Sequence, residues 1–358
     1  MNAQRPPRVG ILGAGQLALM LAEAAPAVGA DILCAGQPGD CAEQVAPVLP
    51  VDLGNPHEVA EFARHVDLLT VESENIDAHV LHGLPLYPNA RAIGTAQDRL
   101  LEKHFFLDCG LEVAPFAPVN DLISLHSALR EIGLPAILKT RRLGYDGKGQ
   151  FRLTHADQAA EAWEQLNAPC ILEGMVQFDT EVSLIAARNR SGQLAFYPLT
   201  ENVHREGILR VSRAASHPEL QALAEYHLTH LLERLDYIGV LAVEFFVVGS
   251  HLLANEMAPR VHNSGHWTIE GSETSQFENH LRAILGLPLG STKSRPSVMF
   301  NCIGSMPPPE VTAAFPSVAR HDYGKEPRPG RKVGHLTVPA SDTAAIAALV
   351  SFFQASGK

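Results

Sequence analysis

The chain is short of most features that would tie it to a membrane, an oxidising compartment or a polyanion. Its longest apolar runs, such as Ile238–Val248, are interrupted or too brief to cross a bilayer. The polar Met1–Arg8 segment leads into an apolar stretch that carries a glycine turn, unlike the uniform core of a cleavable signal. Five cysteines (Cys34, Cys41, Cys109, Cys170, Cys302) are scattered, odd in number and without a Cys-x-x-Cys pair. That argues against a disulfide frame or a zinc site and predicts reduced thiols in a cytoplasmic protein. Positive charge is also scarce: 28 Lys and Arg against 39 Asp and Glu leave a net charge of −11. Non-specific binding to nucleic acid or anionic lipid is therefore disfavoured, and any phosphate must be met by local basic groups. There is no internal repeat or low-complexity tract. The 358 residues are 46% hydrophobic and 19% charged, a globular composition with enough chain for two or three domains.

The N-terminal pattern is a strand, a glycine turn, a helix and a strand: Arg8–Leu12, Gly13-Ala-Gly15-Gln16, Leu17–Ala25 and Asp31–Ala35. This is the opening unit of a doubly wound α/β sheet. Asp67–Glu72 reads as a further strand, with Glu72-Ser-Glu74-Asn75 at the edge where ligands of such sheets gather. The turn Gly13-x-Gly15-x-x-Ala18 invites a dinucleotide reading, since its amides can approach a pyrophosphate. That reading also requires an acidic residue about twenty positions on, to hold a ribose hydroxyl. The second strand ends in Leu33-Cys34-Ala35-Gly36 instead, and only Asp40 keeps a nicotinamide cofactor in play. A turn that serves helix–sheet packing alone competes with anion binding, which Gln16 and the Glu72–Asn75 edge favour.

Asp98 is a good N-cap for a helix over Arg99–Cys109, and Gly110 can close it. A second α/β region follows, with strands at Ala136–Lys139, Gln150–Leu153 and Cys170–Glu173. Between the first two lies a loop containing Gly144, Gly147 and Gly149, with Lys139, Arg141, Arg142 and Lys148 crowded around it. A glycine cover between two strands, with a lysine on the first, suits a lid over nucleotide phosphates. It lacks the spacing and the Ser/Thr of a Walker loop. Ile238–Val248 and Leu252–Met257 read as a hairpin around Gly249-Ser250-His251. A three-residue loop sets Glu244 opposite Glu256, where the two carboxylates can share hard cations, with Asn255 as a neutral oxygen donor. A two-residue Gly249-Ser250 turn instead pairs Glu244 with Asn255 and sends Glu256 to the other face. Next comes Ala258-Pro-Arg260-Val-His262-Asn-Ser-Gly-His266-Trp267, dense in hydrogen-bonding groups as a site for a polar reactant would be. From about Arg295 the chain carries short strands, prolines and the basic segment Lys325–Lys332.

These residues, in this order, resemble the ATP-grasp superfamily, and within it the 5-(carboxyamino)imidazole ribonucleotide synthase family of purine biosynthesis. The likeness rests on Gly10–Leu17, Gln97-Asp-Arg99-Leu, Lys139–Gln150, Glu201-Asn-Val-His204, Asn255–Thr268 and Arg328-Pro-Gly-Arg331-Lys332-Val-Gly-His335. It implies an α/β chain in three parts. These are a Rossmann-like (pre-ATP-grasp) domain over 1–98, an ATP-grasp domain over 99–292 with its lid at roughly 114–176, and a small β-rich C-terminal domain over 293–358.

By resemblance, Arg99, Lys139 and the loop Gly144, Tyr145, Asp146, Gly147, Lys148, Gly149 and Gln150 contact ATP phosphates. Glu173, Gly174, Met175 and Val176 form the adenine-side hinge, Glu181 holds ribose hydroxyls, His204 borders the nucleotide, and Asn255 joins Glu256 beside it. Glu244 and Glu256 ligate magnesium. Gln16, Leu17 and Glu74 take the aminoimidazole ribonucleotide, with Lys325, Arg331 and Lys332 on its phosphate and Tyr145 and Lys148 reaching it from the lid. Leu143 departs from the pattern, since some members carry a glycine there.

The implied reaction consumes ATP, bicarbonate and aminoimidazole ribonucleotide and forms a carbamate through carboxyphosphate. Arg260, His262 and His266 are expected to line the bicarbonate pocket, with His266 or the departing phosphate taking the amine's proton. The implied partners are these small molecules and a second copy of the chain in a homodimer, with neither nucleic acid nor membrane. A formate-dependent glycinamide ribonucleotide transformylase, or another carboxylate–amine ligase of the superfamily, predicts the same ATP residues and differs in substrate.

Overall fold

The computed structural model describes residues 5–144 and 148–355. Tyr145, Asp146 and Gly147 of the expected phosphate loop therefore lie outside the described residues.

The N-terminal unit builds a four-stranded parallel sheet. It comprises β1 (Arg8–Leu12), α1 (Gln16–Ala24), β2 (Asp31–Gly36), β3 (Val48–Pro50), α2 (Pro56–Ala63) and β4 (Leu68–Val71), in the order β3-β2-β1-β4. After their exposed first residues, Arg8 and Asp31, the inner strands β1 and β2 are apolar and buried, as strands covered on both faces must be. α3 (Ala90–Gln97) and α4 (Arg99–Asp108) meet at Asp98, whose carboxylate accepts the Leu100 and Leu101 amides and so fixes the start of α4. Gly110, at φ +80°, lets the chain leave that helix towards β5 (Glu112–Val113).

The second sheet is antiparallel and separate. β6 (Phe116–Val119), α5 (Leu122–Ile132), β7 (Ala136–Thr140), β8 (Gln150–Leu153), α6 (Ala159–Leu166) and β9 (Cys170–Gly174) form it, in the order β6-β9-β7-β8. Leu125, Leu129, Leu138 and Leu172 close a core of their own beneath the two helices. A layer with an independent core can move as a unit, which is what a lid requires.

The remaining strands and helices are β10 (Thr180–Arg188), β11 (Leu194–Phe196), β12 (Thr200–Arg205), β13 (Ile208–Ala214), α7 (Pro218–Arg234), β14 (Gly239–Val248), β15 (His251–Ala258), α8 (Thr268–Gly271), α9 (Gln276–Ile284), β16 (Ser297–Ile303), α10 (Pro309–Ala313), β17 (Ala319–Asp322), β18 (Lys332–Pro339) and α11 (Thr343–Ala355). Their strands join β5 in one ten-stranded sheet, β17-β18-β16-β13-β12-β10-β14-β15-β5, with β11 beside β10. The C-terminal strands thus extend the central sheet through the β13–β16 pairing.

Alternation along β10 and β14 sorts the two faces of this sheet. Leu184, Leu241 and Val243 meet α7 on one side, through Leu228, Leu231 and Leu232. Ile185, Val240 and Ala242 meet Phe277, Leu281 and Ile284 of α9 on the other, in a core shared with α1. Each such leucine contributes about 1.5–3 kcal/mol by leaving water, so the N-terminal and central units are packed as one body around the cleft between them. Among the described residues no helix is long and apolar enough to cross a membrane.

Candidate active site

The hairpin β14–β15 decides where the acidic groups stand. Its turn has two residues, because Val248 pairs with His251, and the ladder runs regularly to Phe245 opposite Ala254. The three-residue loop considered from the sequence is therefore not the one formed. A regular ladder would next set Asn255 against Glu244. A β-bulge falls at this point instead, so Glu244 pairs with Glu256 and Val243 with Met257. Asn255 and Glu256 together oppose Glu244, and all three line one cleft of about 880 Å³. The expected facing of the two carboxylates holds, for a different geometric reason.

Charge around the pair is uneven. Glu256 accepts from Arg99 Nη1 at 2.9 Å. It keeps 43% of its side-chain surface open, yet it sits deep enough for desolvation to act. That burial works to raise its pKa, but Arg99, then Lys139, hold it down at about 2. Glu244 has no arginine: burial first, and then the charge of Glu256, push it up to about 7. His262 Nε2 lies 3.4 Å from it, but burial and then Arg260 hold that imidazole down at about 3 and so uncharged. Two facing carboxylates and an amide oxygen are hard donors with negative charge left over. This set fits Mg²⁺ and offers no soft ligand that would prefer another ion. On the neighbouring strands His204 Nδ1 lies 2.7 Å from Glu181 Oε2, and donor atoms of Glu181, His204 and Glu244 all lie within 4.8 Å of one another.

The lid supplies the opposing charge. Lys139, at the end of β7, donates to Glu173 Oε2 at 2.9 Å, and Lys103 of α4 lies 3.8 Å from the same oxygen. Glu173 is buried, which raises its pKa, but the two ammonium groups overcome this and hold it at about 2. Its side chain is thus committed to cations, and neither it nor Gly174 lines the cleft; Met175 and Val176 do not line it either. Gly144, Lys148 and Gln150 of the loop do, with Lys139, Arg99, Glu181 and His204. Asp98 ties the lid to α4: Arg141 grips it through two bonds of 3.0 and 2.7 Å, and Arg142 adds one of 3.3 Å.

At the other end the cleft reaches the N-terminal glycine turn, and here the structure settles a choice the sequence left open. Two of the amides at the start of α1 are already occupied: Gly15 N–H donates to Glu72 Oε2 at 2.6 Å and Leu17 N–H to Oε1 at 3.1 Å. A side chain at Gly13 or Gly15 would strike Glu72, so the glycines make room for an internal carboxylate. Two of the amides a dinucleotide's pyrophosphate would use are thus taken by the chain's own carboxylate. Glu74 holds Arg260 in a bidentate pair, 2.6 and 3.0 Å, spanning the two units. Lys325 donates to Gln16 Oε1. Gln16, Leu17, Glu74, Arg260 and Lys332 line the cleft; Lys325 adjoins it through its bond to Gln16, and Arg331 donates to the Glu326 carbonyl.

His262 precedes a single 3₁₀ turn, Asn263–Gly265, and shares Ser264 Oγ at 2.8 Å. His266 is buried, and burial keeps it uncharged, with Nδ1 unpartnered among the described residues. Asn263, given no role from the sequence, also lines the cleft, and both of its amide atoms are buried without partners among the described residues. Glu102 and Lys103 are further residues to which the sequence assigns no part in the site, while Glu72 enters only through the acidic Glu72–Asn75 edge and Asp98 only as an N-cap.

A lysine-bearing antiparallel lid, facing a carboxylate pair on a larger sheet across a deep polar cleft, defines an ATP-grasp enzyme. An ATP-grasp domain model matches residues 104–277, a ribonucleotide synthetase preATP-grasp domain model residues 7–97, and a phosphoribosylaminoimidazole carboxylase C-terminal domain model residues 297–349. Over 355 residues the chain is 47% identical to the N5-carboxyaminoimidazole ribonucleotide synthase of Pseudomonas aeruginosa, covering 97% of this chain and 99% of that one. The crystal structure of N5-carboxyaminoimidazole ribonucleotide synthetase from Thermus thermophilus is similar at a TM-score of 0.91 and 47% identity, over 97% and 98% of the two chains. The enzyme from Aspergillus clavatus in complex with ADP and 5-aminoimidazole ribonucleotide is similar at a TM-score of 0.88 and 28% identity, over 97% and 98%. The chain belongs to the N5-carboxyaminoimidazole ribonucleotide synthase family.

Proposed function

We propose that the cleft joins bicarbonate to the exocyclic amine of 5-aminoimidazole ribonucleotide, with ATP converted to ADP and phosphate, in purine biosynthesis. Family membership supports the reaction, and one observation carries the assignment of its machinery. The Glu244–Glu256 pair and Lys139 of the lid share a cleft that continues to Gln16, Leu17 and Glu74. In this reading Arg99, Lys139 and the lid loop bind ATP phosphates, with Glu181 and His204 at its ribose and Asn255 beside Glu256. Mg²⁺, held by Glu244 and Glu256 with Asn255 near, neutralises phosphate charge when bound.

Bicarbonate is a poor electrophile until an oxygen is phosphorylated, so the protein's task is placement and charge compensation. Arg260, fixed by Glu74, offers a planar cation to carboxylate oxygens, and His262 lies beside it. Asn263 joins them, since its unpartnered amide can donate to and accept from the same ligand. Closing the lid excludes water that would hydrolyse carboxyphosphate. The carboxyl carbon then bonds to the amine nitrogen as phosphate leaves. An uncharged His266 has the capacity to take the amine's proton, as has the departing phosphate. Lys325, Arg331 and Lys332 meet the ribonucleotide's phosphate. A cytoplasmic homodimer completes the reading, supported by the free cysteines and by likeness to the family.

An ADP-release assay comparing 5-aminoimidazole ribonucleotide with glycinamide ribonucleotide, with and without bicarbonate, tests this. ADP should form rapidly only with the aminoimidazole substrate and bicarbonate together. Formate-dependent release with glycinamide ribonucleotide would replace the reading with a transformylase.

A further inference from the structure

We propose that Glu102 and Lys103 are positioning residues that hold the bulge at Asn255 and thereby set Glu256 opposite Glu244. The inference rests on the metal reading above. Its starting point is the two-residue turn: with no bulge, the same hairpin would pair Glu244 with Asn255 and turn Glu256 away from the cleft. Something must favour the irregular ladder over the regular one.

The outer edge of β15 shows what does. β5 covers that edge only at Leu253 and Ala254, where it pairs with Glu112 and Val113. Beyond Ala254 no strand continues it among the described residues, and α4 takes over with side chains. Lys103 Nζ donates to the Ala254 carbonyl at 3.2 Å and the Asn255 carbonyl at 2.8 Å, the two carbonyls at the bulge. Glu102 Oε1 accepts the Met257 amide at 2.6 Å, on the far side of Glu256. The clamp thus grips the backbone on both sides of the displaced residue.

Glu102 and Lys103 are 2% and 1% exposed, an expensive location for two ionisable groups. Apolar residues would fill the same space but leave three backbone groups unpaired. Lys103 also approaches Glu173 of the lid, which pairs with Lys139. One ammonium group therefore serves both the carboxylate strand and the lid.

The test is Mn²⁺ binding to the full chain at saturating ADP, with free ion read by electron paramagnetic resonance. Glu256→Gln reports on the metal reading itself and should lose affinity. Lys103→Met should weaken Mn²⁺ by at least about tenfold, the usual cost of losing a group that orients a ligand. Deleting Asn255 in that variant brings the two carboxylates face to face again without the Asn255 oxygen, and should recover part of the loss. A regular two-residue hairpin one residue shorter again sets Glu256 against Glu244, an outcome that a purely structural role for Lys103 does not predict. Glu102→Gln, which still accepts the Met257 amide, should keep most of the affinity, and Glu102→Leu should not. If Lys103→Met fails to fold, the Glu102 pair decides, and equal affinities in its two variants overturn the clamp. Wild-type affinity in Lys103→Met, beside a loss in Glu256→Gln, overturns it too. Unchanged affinity in Glu256→Gln removes the metal reading instead.

Discussion

The glycine turn at the start of α1 and the bulged hairpin β14–β15 open onto one cleft, and both bring a half-buried carboxylate to backbone that departs from regularity. At the turn the accounts are closed: Glu72 accepts two amides, and the glycines leave room for nothing larger. At the hairpin they are open, because Glu244 and Glu256 face each other and Arg99 engages Glu256 alone among the described contacts. A motif that looks like an anion site can be satisfied from within the chain. A hairpin without a recognised motif can carry unmet charge, and unmet charge is what a ligand answers.

Substitutions can break or sharpen that contrast. The largest effect belongs to the open side. Glu256→Gln should reduce ADP formation by roughly a thousandfold, the scale of losing a group that organises transition-state charge, with the circular dichroism spectrum retained. Turnover near wild type would remove Glu256 from the machinery.

Next is Glu173 on the lid, whose Oε2 meets two ammonium groups while Oε1 is buried without a partner among the described residues. Glu173→Gln leaves Lys103 and Lys139 without their shared anion and should cost about 3 kcal/mol in urea unfolding. The pH dependence follows from its pKa, which lies at about 2 when folded against an ordinary 4.5. The folded state binds fewer protons there, so Glu173 contributes fully above about pH 4.5, and its contribution fades as pH falls towards 2. The variant's stability should therefore decline less steeply than wild type over that acid range, and parallel profiles would contradict the assignment.

The smallest effect is expected at the closed turn. Glu72→Gln leaves one α1 amide poorly matched, about 1–3 kcal/mol of unmet donor, and should raise the KM for aminoimidazole ribonucleotide about tenfold. The KM for ATP should move little, since ATP is placed at the other end of the cleft. Equal changes in both constants would mean that Glu72 acts through general stability.

Much of this arrangement was legible in local pattern. Strand–turn–helix order gave β1, α1, β2 and β4 but not β3, Asp98 and Gly110 marked both ends of α4, and strand-like runs flanking glycine turns gave β7, β8 and the hairpin. Resemblance added the order Lys139, Glu244, Glu256 and the roles that go with it. What stayed hidden depends on partners far along the chain. Glu72 lies 57 positions from the amide it fills at Gly15, and Glu102 lies 155 from the amide it accepts at Met257. The bulge itself has no glycine or proline to announce it: Ala254-Asn-Glu-Met257 reads as plain strand. Tertiary hydrogen bonds override the local ladder there, and period-2 reasoning cannot anticipate them. The same distance hid Arg141 on Asp98, because a capping residue can serve as a lid anchor without any change in local pattern.

A crystal grown with Mn²⁺ and a non-hydrolysable ATP analogue tests the central claim most directly, through the anomalous signal of the ion. The geometry described here predicts a peak touching carboxylate oxygens of both Glu244 and Glu256, with the triphosphate beneath Lys139. A peak that touches neither residue, or a nucleotide bound away from this cleft, would contradict it.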